Sequence, residues 1–347
     1  MEKKKLTSEY IKKQAKAMGA DACGIASIDR WDGAPIQMDP RQIMPEAKSV
    51  IGFVFRVMRG SLRGIEEGTF FSNYSAMGYG GITYLYMPMT VINLSKVIED
   101  FGYEAIPYGH QSDWRAIGQT GELKENYSRP VAPGRAAPDV MVHLRIGAYL
   151  AGLGEIGWSK MFLSPQFGPR CRVGIIITEA ELEADPIYDG PQLCNRCMAC
   201  IRDCPGGALK KDRSVKVTLA GREIEWCDID CDACDMAFSG GLQTETDVPE
   251  ERAYSSKWGK WSFLRGWWTP FFRKPHNLYN TGKAVCGARG CTRACMIQLE
   301  KRGVLENKFH EPFRRREPWH VNWSDVDEGR HPATAEAGKD PCVSETD

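Results

Sequence analysis

The chain is 347 residues long, and its 45 basic and 45 acidic side chains cancel to a formal charge of zero. That balance excludes a polyanion binder working through bulk charge, and an apolar share of 42% excludes a largely disordered chain. No apolar run approaches the ~20 residues of a membrane span. The Lys-rich start carries neither an apolar signal core nor an Arg-Arg pair, so a cytoplasmic location is expected.

Helical spacing covers Ser8–Met18, with Gly19 as its C-cap, and Ala20–Ala26 reads as a short strand. Lys48–Val57 is a stronger strand. A helix is expected between Tyr84 and Phe101, and a strand over Tyr103–Pro107. Asp139–Leu150 is predicted as a helix behind Pro138, with the acid at its positive end. Val173–Thr178 is a central strand. Residues 1–185 therefore form a mixed α/β domain. Composition changes after Asp185, where cysteines gather among Gly, Asp and Asn, giving a second domain over residues 186–305. Residues 306–347 are expected to be a partly disordered tail. Lys257–Lys274 brings Trp258, Trp261, Trp267, Trp268, Phe271 and Phe272 together with basic residues. It reads as an aromatic insertion packing over a cofactor region, with a membrane surface or nucleic acid as the alternative.

Thirteen cysteines in a reducing compartment point to metal before disulfides. Cys194-x2-Cys197-x2-Cys200-x3-Cys204-Pro205 has the spacing of bacterial ferredoxins. Three thiolates wrap one iron–sulfur cube from a tight loop; the fourth, before proline, points away toward a neighbouring cluster. A zinc ribbon does not require the terminal Cys-Pro. A second cluster draws on Cys227, Cys231, Cys234, Cys286, Cys291 and Cys295. Its set is read as one of the first three with Cys286, Cys291 and Cys295. Cys227-x3-Cys231-x2-Cys234 also has radical-SAM spacing, but only 113 residues follow Cys234. Cys23, Cys171 and Cys342 are given no role.

Gly152-Leu153-Gly154-Glu-Ile-Gly157 matches the dinucleotide pattern but follows a predicted helix, so the strand–turn–helix context is missing. Together with Leu163-Ser-Pro-Gln-Phe-Gly-Pro-Arg170, and with the ferredoxin run a few dozen residues later, it resembles the cobalamin-dependent reductive dehalogenases and epoxyqueuosine reductases. The segments Lys13–Ala26, Phe101–Pro107 and Ile229–Cys234 are similar to parts of the same proteins, the last favouring Cys234 as the first ligand of the second cluster.

The resemblance implies an α+β protein: a nitroreductase-like α/β cobalamin-binding domain followed by a ferredoxin-like domain with two [4Fe-4S] clusters. Ligands would be Cys194, Cys197, Cys200, Cys204, Cys234, Cys286, Cys291 and Cys295. A base-off cobalamin would lie against Gly152, Leu153, Gly154, Gly157, Ser159, Leu163, Ser164, Phe167, Gly168 and Arg170. The implied activity is reductive cleavage of a carbon–heteroatom bond on a small molecule, with electrons from an external donor such as ferredoxin or flavodoxin. The proton donor position of epoxyqueuosine reductases falls on Pro138, leaving Asp139 or His143 as the acid. No basic tRNA-binding module is recognised, so no nucleic-acid partner is expected. The rival readings are a flavin- or NAD-dependent iron–sulfur reductase, and an electron carrier or corrinoid-reactivating protein.

Overall fold

A computed structural model describes residues 5–110, 117–124, 127–238, 242–243, 253–256, 259–262 and 285–315. Helix α1 (Ser8–Ala17) opens behind Thr7, whose hydroxyl accepts the Tyr10 N–H at 3.2 Å and caps the free helix end. It buries Ile11 and Ala15, and Gly19 (φ +105°) turns the chain toward β1 (Ala22–Ser27). Strand β2 (Ser49–Arg56) is buried from Ser49 to Phe55. Next come α2 (Gly60–Glu66) and a single turn, α3 (Phe71–Asn73). A π-helical stretch over Tyr74–Tyr86 then runs directly into α4 (Met87–Asp100), followed by β3 (Ala105–Tyr108). After α5 (Leu144–Leu150), β4 (Glu155–Ile156) pairs with β5 (Phe162–Leu163), and β6 (Cys171–Thr178) completes this half.

Strands β1, β2, β6 and β3 form one antiparallel sheet in that order. Because successive side chains face opposite ways, Ile51, Phe53 and Phe55 join Ile11 and Leu94 in one core, while Val50 and Val54 join Ile146 and Leu150 in the other. Gly24 and Gly52 are partners in the β1–β2 register. A Cβ at Gly24 would stand 2.1 Å from the Ala151 carbonyl oxygen, and one at Gly52 would stand 2.9 Å from the Ala151 Cβ. These two glycines let the end of α5 lie directly on the sheet.

The remaining described elements are α6 (Ala199–Arg202), the hairpin β7 (Leu209–Leu219) and β8 (Arg222–Ile229), and α7 (Cys231–Phe238). Short strands β9 (Leu242–Gln243), β10 (Ala253–Ser256) and β11 (Gly259–Ser262) form a small sheet, and α8 (Val285–Arg289) and α9 (Cys291–Arg302) follow. Leu219, Ile224 and Trp226 of the hairpin share a core with Val50 and Ile146. Leu163 meets Leu193, Leu299 and Leu305 in another. Residues 306–315 are anchored: Phe313 is buried, and Asn307 donates its N–H to the Gln166 carbonyl. Trp258, Trp267, Trp268, Phe271, Phe272 and Cys342 lie outside the described residues.

Two elements differ from expectation. The helix read as Asp139–Leu150 starts at Leu144. Asp139 takes a left-handed φ of +63°, and the N–H groups of Met141 and Val142 donate to the Gln37 carbonyl and the Tyr108 hydroxyl. Tertiary hydrogen bonds thus hold Val140–Val142 out of the helix, and Asp139 does not sit at its positive end. The helix expected from Tyr84 begins ten residues earlier as the wide π spiral. There Gly78 leaves room for the Tyr74 ring, which a Cβ would meet at 3.0 Å.

Candidate functional site

Left-handed backbone at Arg196 and Met198 folds the Cys194–Cys204 run into a tight loop that leaves Cys197 exposed and Cys200 buried. The glycine segment holds this loop in place. The Glu155 carboxylate accepts the N–H groups of Leu193 and Cys194 at 3.1–3.2 Å, and the Trp158 N–H donates to the Cys194 sulfur at 3.3 Å. The Ser159 hydroxyl serves the Cys200 sulfur, lowering a thiol that burial and its neighbours Cys194 and Cys197 push up to about 11. Donors of this kind are what tunes thiolate-bound metal.

Helix α9 carries Cys291 and Cys295 one turn apart, on one face. Cys295, expected with the second set, stands against the first run: burial raises its thiol well above the ordinary value, and Cys194, Cys200 and Cys197 add to the rise. Cys194 and Cys295 also share the leucine core around Leu193 and Leu299. Cys291 is pushed up to about 12 by burial and then by Cys204, Cys234 and Cys200. Cys204, Cys234 and Cys286 pack together around Ala208, Ala233 and Ala237. Two neighbourhoods result, Cys194/Cys197/Cys200/Cys295 and Cys204/Cys234/Cys286/Cys291. Crowded thiols that resist ionisation in protein alone are deprotonated outright on binding metal. Among the described residues no three His, Cys, Asp or Glu are gathered to hold a single metal ion. A cube, with its irons at separate corners, spaces its thiolates more widely than a lone ion does. Cys227 is fully buried beside Cys200 and Cys204. Cys231 opens α7 on the side of Lys160.

The residues expected to cradle a corrinoid are occupied by the protein itself. A Cβ at Gly152 (φ +77°) would stand 2.2 Å from the Pro186 carbonyl oxygen, and one at Gly154 2.0 Å from that of Leu163. Gly157 backs onto the Leu163 side chain, and Leu153 packs in the core with Ala151. Ser164 and Gly168 exchange two backbone hydrogen bonds, and Phe167 is buried. Arg170, 1% exposed, donates to the Val57 carbonyl at 2.7 Å and to Asn307 Oδ1 at 2.9 Å. These groups have no free face to offer a broad ring, so this segment does not fit a corrinoid.

Beside Cys286 and Cys291, a group that sequence reading missed comes together on the α4 side of the sheet. Arg172, on β6, donates to the Tyr74 hydroxyl at 2.9 Å and lies over the Tyr79 ring, 4.9 Å from its centroid. The hydroxyls of Tyr79 and Tyr84 are 2.9 Å apart, and both rings meet His110 edge-on. Burial raises the Tyr74 phenol, Arg172 opposes the rise, and Cys286 and Cys291 add to it. The tyrosine-rich run 74–86 was the available signal; its link to Arg172 crosses about a hundred residues.

The two proposed acids are not brought together. Asp139 is exposed, whereas His143 lines a cleft of about 160 Å³ with Trp31, Pro35, Met38, Ile146 and Trp226. Near it Lys160, 1% exposed, lies over the Trp226 ring at 4.4 Å, and burial, then Arg145, push its amine down to about 7.

No family-level sequence profile matches the chain. It is 26% identical over 243 residues to a tetrachloroethene reductive dehalogenase of Desulfitobacterium hafniense, covering 62% of this chain and 41% of that protein. It is 24% identical over 298 residues to an epoxyqueuosine reductase of Gloeobacter violaceus, covering 74% and 79%. The chain therefore spans less than half the length of the matched dehalogenase. Among solved structures, a reductive dehalogenase studied for B12-dependent dehalogenation overlaps 86% of this chain and 36% of its own, at TM-score 0.43 and 18% identity. The epoxyqueuosine reductase of Streptococcus thermophilus overlaps 59% and 54%, at TM-score 0.39 and 19% identity. An epoxyqueuosine reductase structure with a modified tRNA stem loop overlaps 58% and 52%, at TM-score 0.37 and 17% identity. No helix among the described residues is long and apolar enough to cross a membrane. By its sequence matches, the chain is similar to reductive dehalogenases and epoxyqueuosine reductases, at 24–26% identity.

Proposed function

We propose that the protein is an iron–sulfur oxidoreductase that reductively cleaves a carbon–heteroatom bond in a small molecule. The observation that carries this reading is the interleaving of the cysteines, Cys295 joining Cys194, Cys197 and Cys200 while Cys204 joins Cys234, Cys286 and Cys291. Such crossed supply is how two cubes are held side by side. The clusters, when bound, supply electrons one at a time. Cys197 reaches the surface, so the first set is the side for an external one-electron donor such as ferredoxin or flavodoxin.

The second set adjoins Tyr74 and Arg172. There Arg172 stabilises negative charge as the bond breaks, and the Tyr79–Tyr84 pair holds the proton. Two electrons and one proton replace the heteroatom by hydrogen, and the heteroatom leaves as its anion. A corrinoid is proposed on the likeness to the dehalogenases alone, with no seat on Gly152–Gly157 or Leu163–Arg170. Asp139, exposed and outside the helix, is set aside as the acid.

Anaerobically purified protein is expected to hold about eight irons and eight sulfides. Cys197→Ser and Cys295→Ser should each lose the same half of the iron, Cys204→Ser and Cys291→Ser the other half, and Cys227→Ser and Cys231→Ser none. Stoichiometric zinc with little iron would overturn the reading. Corrin bands after incubation with hydroxocobalamin under reducing conditions test the cofactor separately, and RNA retained through purification would replace the small-molecule substrate.

A further inference from the structure

The exposed side of the first cysteine set carries charge of one sign. We infer that this surface docks a small acidic ferredoxin through Arg202 and Arg302, so that the carrier meets the molecule at Cys197. The inference rests on the iron–sulfur reading above and adds to it the surface used and the charge of the partner.

The chain as a whole is balanced, yet from Gly190 to Arg202 it holds two arginines and no acid. Pro191, Gln192, Asn195, Arg196, Cys197 and Arg202 are all exposed. Arg202 donates to the Cys197 carbonyl at 3.0 Å. Arg302, in the last turn of α9, reaches the same loop and donates to the carbonyls of Leu193 and, at 2.8 Å, Gln192. Both arginines are exposed, and neither pairs with a carboxylate among the described residues. The carboxylates around them are engaged elsewhere. Glu155 accepts the N–H groups of Leu193 and Cys194, Glu225 pairs with Arg196, Asp203 faces Arg293, and Glu300 pairs with Arg59. Asp189 and Glu306 stand on the Tyr188 side, at the border of the patch. Arg202 and Arg302 are thus left as uncompensated positive charge beside the exposed cysteine.

Bracing the loop requires hydrogen bonds but not exposed charge. A guanidinium that spends one or two donors on carbonyls keeps the others for an incoming carboxylate. Like charge gathered at an electron-entry point steers an oppositely charged carrier and speeds its encounter. A flavodoxin would dock through the edge of its flavin, but the exposed residues of the run include no aromatic side chain to meet that edge. Trp158, the ring nearest the loop, is buried beneath the Arg196 guanidinium, 4.5 Å from its centroid.

Isothermal titration of an oxidised acidic bacterial ferredoxin into anaerobically purified holoprotein reads the complex without turnover. Arg202→Glu and Arg302→Glu should each weaken binding about tenfold, and salt should weaken it further as the Debye length shrinks. Arg202→Gln, which keeps a donor for the Cys197 carbonyl, should retain the iron and still lose affinity. Lys16→Glu, an exposed reversal on α1, makes the same change in net charge and should leave binding unaltered. In stopped-flow mixing, cluster reduction by reduced ferredoxin should slow with affinity, whereas reduction by the methyl viologen radical cation should not. Binding indifferent to salt or to both arginine reversals, equal weakening by Lys16→Glu, tighter binding of a flavodoxin, or no binding at all would each overturn the docking surface. Those outcomes leave the iron count of the proposed function intact; protein that holds no iron would overturn both.

Discussion

Tyr79 and Lys160 show how a single side chain sets chemistry here. The Tyr79 hydroxyl, 2.9 Å from that of Tyr84 and carried on a ring that lies beneath the Arg172 guanidinium, is the proposed proton source. Tyr79→Phe should keep the iron content and slow reductive turnover by about 10²–10⁴, the usual contribution of a placed acid; unchanged turnover would move the acid elsewhere. Lys160 bears on stability. Its native amine is pushed down to about 7, chiefly by burial, whereas in the unfolded chain it holds its proton to about 10.4. Between those values the unfolded state binds the extra proton, so native stability rises with pH across that window and the penalty is complete below it. Lys160→Met should therefore melt higher than the unaltered protein at pH 7, with the gap closing toward pH 10. Parallel melting curves would show that the amine is not desolvated in solution.

Among the elements, those whose periodicity is local were legible in the sequence. The α1 spacing, the Gly19 cap and the apolar runs of β1, β2 and β6 lie within two residues of where they were read. The helix before the glycine segment was misread because Met141 and Val142, within its expected first five residues, answer to distant partners, the Gln37 carbonyl and the Tyr108 hydroxyl. No local pattern records those bonds. The glycines of β1 and β2 were equally silent: Gly24 is glycine because the Ala151 carbonyl lies where its Cβ would be. Gly24→Ala should cost about 1–3 kcal/mol, as overpacking in a filled core does, measurable by denaturant unfolding. A neutral outcome would mean that the end of α5 shifts freely off the sheet.

Across the whole molecule, a buried ionic junction ties the cysteine elements to the α2 side. Glu66, 3% exposed, pairs with Arg293 at 2.8 Å and Arg314 at 2.6 Å, while Arg293 also faces Asp203 at 3.7 Å. Glu66→Ala would strand the buried guanidinium of Arg293, and breaking such a pair costs about 3–5 kcal/mol. Faster iron release on mild heating is the expected result; release at the unaltered rate would show that the junction does not hold the cysteine helices. The sequence by itself determined the ferredoxin spacing of the Cys194–Cys204 run and the glycine segment that resembles reductive dehalogenases and epoxyqueuosine reductases, because loop ligand spacing and a contiguous glycine segment are local patterns. Only the tertiary structure decided that Cys295 crosses to the first run, that Gly152–Gly157 brace the cysteine loop, and that Arg172 meets Tyr74 and Tyr79. Each of these joins residues tens to about a hundred positions apart, whose contact arises when the sheet, α9 and the cysteine loop bury their apolar faces on one another.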